Sequence, residues 1–152
     1  MKKQKGFSLI ELLIVVAIIL IIAAIAIPNL IKSKMAANEA SAVGSLRTVN
    51  SAENTYSSTY GTGFTDLTTL GTSGMIDNVL GSGTKSGYTL TATPVAASGA
   101  GTSVNPYLSY QSFGNPVSSN TGTRHFCADE SGVIRWDTAT CTPGATGSAA
   151  LQ

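Results

Sequence analysis

One carboxylate, Glu11, stands inside an otherwise apolar run. Residues 7–27 read FSLIELLIVVAIILIIAAIAI, and Ser8 is the only other polar side chain. On insertion scales an ionisable group costs about 2.5–3.5 kcal/mol at the centre of a membrane-spanning helix, and less toward its end. Such a carboxylate calls for a cationic partner or takes up a proton, unless it merely snorkels toward the interface. Two cysteines, Cys127 and Cys141, enclose 13 residues near the C-terminus. Behind an export signal, that spacing reads as one disulfide made in an oxidising compartment. His125, the only histidine, sits two residues before Cys127. On a strand the two would share a face, which admits a thiol with its base. No oxyanion feature flanks them, so a surface or packing role for His125 is the plainer reading. A metal site built from His125, Cys127, Asp129 and Glu130 has no familiar ligand spacing. The reading is therefore a non-enzyme with no catalytic, cofactor-binding or metal-binding residue.

The elements that hold these residues divide the chain sharply. Its 152 residues allow one modest domain, and only 11% are charged, against a usual fraction of about 25%. A formal net charge of +1 carries no footprint of nucleic-acid binding. Lys85, Arg124 and Arg135 are scattered and read as ordinary solvated positions. Lys2, Lys3 and Lys5 all precede the apolar run. Without residues 1–6, six Lys/Arg would face eight Asp/Glu, a mildly acidic remainder.

As a helix, residues 7–27 span roughly 31 Å, about one hydrocarbon core. The basic flank is N-terminal, so the positive-inside rule puts residues 1–5 in the cytoplasm and the bulk of the chain outside. A cleaved secretory signal peptide is the competing reading, and Ala24-Ile25-Ala26 even offers an A-x-A site. The run is longer than the usual h-region of about 7–15 residues, and a targeting peptide has no use for Glu11. A plain membrane anchor is the other alternative.

The stretch Lys5-Gly6-Phe7-Ser8-Leu9-Ile10-Glu11-Leu12 resembles the processing site of type IV prepilins and their relatives. The resemblance rests on the short basic leader, the Gly-Phe junction, the glutamate five residues in and the unbroken apolar run. It covers about the first 30 residues and identifies the pilin and pseudopilin superfamily. It implies cleavage after Gly6 by a membrane prepilin peptidase, and N-methylation of Phe7 by the same enzyme. It also implies an assembly role for Glu11, which would meet the amino terminus of a neighbouring subunit and set the axial register. The implied partners are further copies of the chain in a helical filament, the peptidase–methyltransferase, the inner membrane with its assembly platform, and minor pilins.

Pro28 stands where many such proteins carry a helix-kinking proline. It has no N–H for the carbonyl of Ala24, so a kink or loosened turn is expected there; the alternative is a helix that starts at Pro28 outside the membrane. Beyond it, Met35, Val43, Leu46, Val49, Tyr56 and Tyr60, with Ala42 and Ala52, recur at helical spacing. One helix is expected over residues 7–60, about 80 Å long, ended by Gly61. Its second half is amphipathic and packs on a sheet. Residues 61–87 read as a loop with one or two helical turns. Strands are expected at 88–93, 108–112, 124–128 and 133–136, with a turn at 129–132. A flexible excursion falls at 94–106 and a mobile tail at 142–152.

The fold class is thus α+β: a long N-terminal helix on a roughly four-stranded antiparallel sheet. The expected divisions are a leader (1–6), a membrane and assembly helix (7–28), an amphipathic half (29–60) and a globular head with a C-terminal disulfide loop (61–152). The function implied by the resemblance is a pilus subunit. The alternatives are a pseudopilin of a type II secretion system and a membrane-tethered binding domain that never polymerises. Major pseudopilins tend to carry a calcium pattern around Asp-Pro-Trp-Gly-Asn-Pro. Here only the fragments Asn105-Pro106-Tyr107 and Gly114-Asn115-Pro116 occur, which favours a pilus. After Phe7 the next aromatic is Tyr56, so one subunit offers no continuous aromatic path, and no Asn-x-Ser/Thr sequon is present.

Overall fold

The computed structural model describes residues 6–95, 106–144 and 148–151. Residues 1–5 of the expected leader, residues 96–105 of the expected excursion, and residues 145–147 and 152 of the expected tail lie outside them.

A single helix, α1, covers Leu9–Tyr60. Gly61, at φ +69°, ends it: its N–H reaches the Ser57 carbonyl at 3.0 Å, and its left-handed backbone turns the chain away. Contacts group residues 1–34 and residues 35–152 into two separate units. In the first unit the helical backbone runs through Pro28 without a non-helical break. Pro28 leaves the Ala24 carbonyl without its helical partner and costs about 3 kcal/mol in a helix interior, yet the helix is continuous across it.

In the second unit α1 packs as an amphipathic helix. Ala42, Leu46, Val49 and Ala52 recur at spacings of four and three and are all buried. They join one core with Tyr88, Leu90, Phe126, Ala128 and the leucines of two short helices. Those are α2, Leu67–Thr72, and α3, Asn78–Gly81. Each starts at an aspartate cap: Asp66 Oδ1 accepts the Thr69 N–H at 2.9 Å, and Asp77 Oδ1 accepts that of Leu80 at 2.8 Å.

The sheet is an antiparallel meander in the order β1-β2-β3-β4-β5-β6. Four strands match the expected ones: β2 (Tyr88–Val95), β3 (Ser109–Pro116), β4 (His125–Asp129) and β5 (Arg135–Asp137). In β2 the buried Tyr88, Leu90 and Ala92 alternate with exposed Thr89, Thr91 and Thr93, as the sequence pattern requires. Leu108 and Val133, expected to begin strands, instead precede β3 and β5 and are exposed. Tyr110 and Ile134 are the buried anchors there.

Two strands add to the expected four. β1 (Thr84–Lys85) pairs with the start of β2, and β6 (Ala149–Ala150) pairs with β5. The expected mobile tail is therefore corrected over residues 148–151. Ala149 and Ala150 complete the sheet edge, and the Leu151 N–H reaches the Ile134 carbonyl at 2.8 Å while its side chain packs on the core. Nothing in two alanines signals a strand; the open edge of β5 supplies the pairing. Cys127 in β4 and Cys141 form a disulfide, with Cα atoms 5.6 Å apart and both residues buried.

Candidate functional site

The amino-terminal segment sets out its chemistry within a few residues. Gly6, Phe7 and Ser8 lie outside helical backbone and are exposed. Seventeen large apolar side chains from Phe7 to Ile31 are also exposed. In water each such side chain forgoes about 1.5–3 kcal/mol of burial. This helix is long and apolar enough to cross a membrane.

Within the run Glu11 is the only ionisable side chain. Its Oε2 accepts the backbone N–H of Ser8 at 2.9 Å. Ser8-Leu9-Ile10-Glu11 is thus one half of a capping box: a first-turn carboxylate satisfies an orphan N–H and faces the positive end of the helix dipole. The carboxylate is held over the N-terminal end, beside the Phe7 backbone. In the intact chain the Phe7 nitrogen is an amide and carries no charge; cutting the Gly6–Phe7 bond would make it a cation.

The head is fastened to α1 by a second carboxylate. Glu39 is buried, and its Oε2 receives the Arg124 guanidinium, with Nε and Nη2 both at 2.7 Å. Its Oε1 accepts the Thr123 N–H at 3.0 Å, the Thr123 hydroxyl at 3.2 Å and the Arg124 N–H at 3.3 Å. Burial pushes this carboxyl upward, but the Thr123 N–H and the Arg124 contacts outweigh it and hold Glu39 below the ordinary carboxylate value. The guanidinium also lies 5.3 Å from the Trp136 ring centre and 5.8 Å from that of Phe126. Tyr88 donates its hydroxyl to the Arg124 carbonyl at 2.9 Å. Burial, then the nearby Glu39 charge, pushes its phenol up to about 12, so it stays a donor. This closure needs glycine at position 122, where a Cβ would overlap the Tyr88 ring and hydroxyl.

Breaking a fully buried ion pair costs about 3–5 kcal/mol. Arg124 is more than a third exposed, so water screens the loss. Arg124→Ala is expected to lower head stability by about 1–3 kcal/mol, read as a lower denaturant midpoint at unchanged slope. The Glu39 contribution is present above the ordinary carboxylate value and is lost as pH falls below it. An Arg124→Ala protein should therefore show a shallower loss of stability on acidification than the wild type.

The C-terminal candidates resolve into structural roles. Cys127 is bonded to Cys141, so it is no thiol nucleophile. The His125 Nδ1 pairs with Asn115 Oδ1 at 2.8 Å across the sheet. Asp129 Oδ1 accepts from the N–H and hydroxyl of Ser131 within the 129–132 turn, and Glu130 Oε2 from the Ser109 hydroxyl at 2.9 Å. Among the described residues no group of three His, Cys, Asp or Glu side chains could hold a metal ion.

Residues 1–27 match the prokaryotic N-terminal methylation motif. The chain is 59% identical over 39 residues to the type IV wide pilus major component PilA4 of Thermus thermophilus, and 46% identical over 54 residues to the type IV major pilin protein PilA of Myxococcus xanthus. The amino-terminal segment carries this motif and is similar to those of two type IV pilins. The matched stretches take in 26% and 36% of this chain and 30% and 24% of the two relatives, so each spans less than a third of the relative's length. No solved structure matches the chain.

Of the residues singled out from sequence, Gly6, Phe7 and Glu11 lie within the matched methylation motif, Pro28 lies further along α1, and Cys127 and Cys141 are joined in the head. Four contributors went unread. Ser8 had a visible signal, the Ser-x-x-Glu spacing of a capping box. Glu39 and Arg124 had none, since 85 residues separate them. Glu53, fully buried at the end of α1 that leads into the head, looked like any polar position on an amphipathic helix.

Proposed function

We propose that this chain is a structural subunit of a type IV pilus. The observation that carries the reading is the capped carboxylate: Glu11 is alone in an exposed apolar helix and accepts the Ser8 N–H, one residue after the nitrogen that would become an amine if the chain is cut after Gly6. In this reading a prepilin peptidase removes residues 1–6 on the cytoplasmic side of the inner membrane and methylates Phe7. The helix holds the subunit in the membrane with its head outside. Packing against the helices of other copies then covers the apolar side chains as the filament grows. Glu11 takes the Phe7 amine of a neighbouring subunit, so both charges are neutralised and the axial register is set. Apolar helix faces alone carry little register information, because sliding one along another exchanges similar contacts.

The expected mature chain begins at Phe7 with a methylated amine. Intact mass of the membrane form and of sheared surface filaments measures it. A chain that begins at Ile27 would mean that the A-x-A site was cut, and would remove the pilus reading altogether. Abundance in sheared filaments, imaged by electron microscopy, separates a pilus subunit from a component of a secretion machine.

A further inference from the structure

The assembly reading makes no use of Glu53. Its side chain is completely buried in the head. Oε2 accepts the Thr65 N–H at 2.9 Å, and Oε1 has no hydrogen-bond partner among the described residues. Buried polar atoms are normally paired, and an orphaned one costs about 1–3 kcal/mol, more if charged. The bond to Thr65 ties α1 to segment 61–66, which leads into α2. That segment has two further attachments. Thr62 and Phe64 exchange backbone hydrogen bonds with Tyr107 at 3.0 and 3.1 Å, and the Phe64 ring lies 4.8 Å from that of Tyr110.

The ionisable groups that act on Glu53 are all acidic. Asp66, the cap of α2, is the charged neighbour within the segment. Burial works against its charge, but the Thr69 N–H and hydroxyl hold it below its ordinary value, so it is anionic at neutral pH. On β3, Tyr110 gives its hydroxyl to Asn50 Oδ1 at 2.8 Å and is itself pushed up by burial and then by the Glu53 charge. Tyr110 in turn feels Asp129 and Glu130. Among the groups acting on Glu53 there is no cation.

We propose that Glu53 is a pH-operated latch: its uncharged carboxyl keeps segment 61–66 closed on α1, and its ionisation favours an opened segment in which water reaches Oε1. Burial, and then repulsion from Asp66, outweigh the Thr65 hydrogen bond and push this carboxyl up to about 7. Once the segment opens and water reaches it, the carboxyl returns to its ordinary value of 4.5. The sign follows. Between 4.5 and about 7 the open form is ionised while the closed form still holds its proton. Closure is therefore strongest at or below 4.5, weakens up to about 7, and is level above that.

The test is amide hydrogen exchange of segment 61–66 in the full chain in detergent micelles, corrected for intrinsic exchange. Linkage of one proton predicts that opening increases by up to about tenfold per pH unit between pH 5 and 7. Glu53→Gln, which keeps an acceptor for Thr65 but cannot ionise, should show opening that does not change with pH over that range. A wild-type segment with no pH dependence, or a folded Glu53→Gln chain with the wild-type slope, would overturn the latch. If that variant does not fold, carbon NMR of carboxyl-labelled glutamates in the wild type decides. The Glu53 signal should titrate near neutrality, and titration in the ordinary carboxylate range would overturn the proposal.

Discussion

A strain whose only copy of this chain carries Glu11→Val should yield no sheared filaments, while cleaved subunit accumulates in the inner membrane. Membrane insertion should survive, because removing a carboxylate from the apolar run lowers the cost of entry. Cleavage after Gly6 should survive as well, since the Gly6–Phe7 junction lies in exposed non-helical backbone ahead of the helix. Two things are lost. The Ser8 N–H loses its acceptor, a local effect of about 0.3–1 kcal/mol at a helix end. On the proposed register contact, the Phe7 amine of the next subunit would lose its counter-charge, and leaving one member of a buried pair alone costs about 3–5 kcal/mol. The second term recurs at every added subunit, so it dominates. Glu11→Gln separates the two, because glutamine still accepts from Ser8 but brings no charge. The expected order of filament yield is wild type far above glutamine, with valine at or below glutamine. Normal yield from either variant would show that the carboxylate charge does not set the register.

Loss of the Cys127–Cys141 bridge should cost the head about 3 kcal/mol on the chain-entropy estimate for a closed loop near 15 residues. The bridge joins β4, in the middle of the sheet, to the segment that leads toward β6. Both cysteines are buried, so Cys127→Ser also places a hydroxyl in the interior. Trp136, the only tryptophan, pairs with Phe126 beside Cys127, so its fluorescence reports unfolding of this part of the sheet. Denaturant unfolding of the full chain in micelles should show an earlier transition for the reduced or Cys127→Ser protein. Helical signal from the apolar part of α1 should persist through that transition. Non-reducing mass mapping of exported protein should find the link; two free thiols there would reject it.

The sequence by itself determined whatever depends on near neighbours along the chain. The methylation motif, with Gly6, Phe7 and Glu11 in it, is read from consecutive residues. Helical spacing from Met35 to Tyr60 reports a buried stripe because one turn repeats every 3.6 residues. Alternation in residues 88–93 marked β2 for the same kind of reason, with a period of two. Gly61 was legible as a helix stop, since only glycine adopts its left-handed backbone at no steric cost. The strand ends were less legible. Leu108 and Val133 have the right residue types, but pairing begins after them, and pairing is a property of two strands.

Tertiary structure alone decided the rest. β6 exists because β5 offers an open edge, and Ala149 and Ala150 have no strand signal of their own. Glu39 becomes an anchor only when the chain returns, after more than 80 residues, with Thr123 and Arg124. Its burial is tolerable because those partners arrive together. Glu53, fourteen residues further along the same helix, is buried with one hydrogen bond and an acidic neighbour. The same residue type is thus held charged at one position and pushed toward neutrality at the other. What separates them is whether the fold delivers a cation and several donors to the buried carboxylate, and only chain segments distant in sequence can do that.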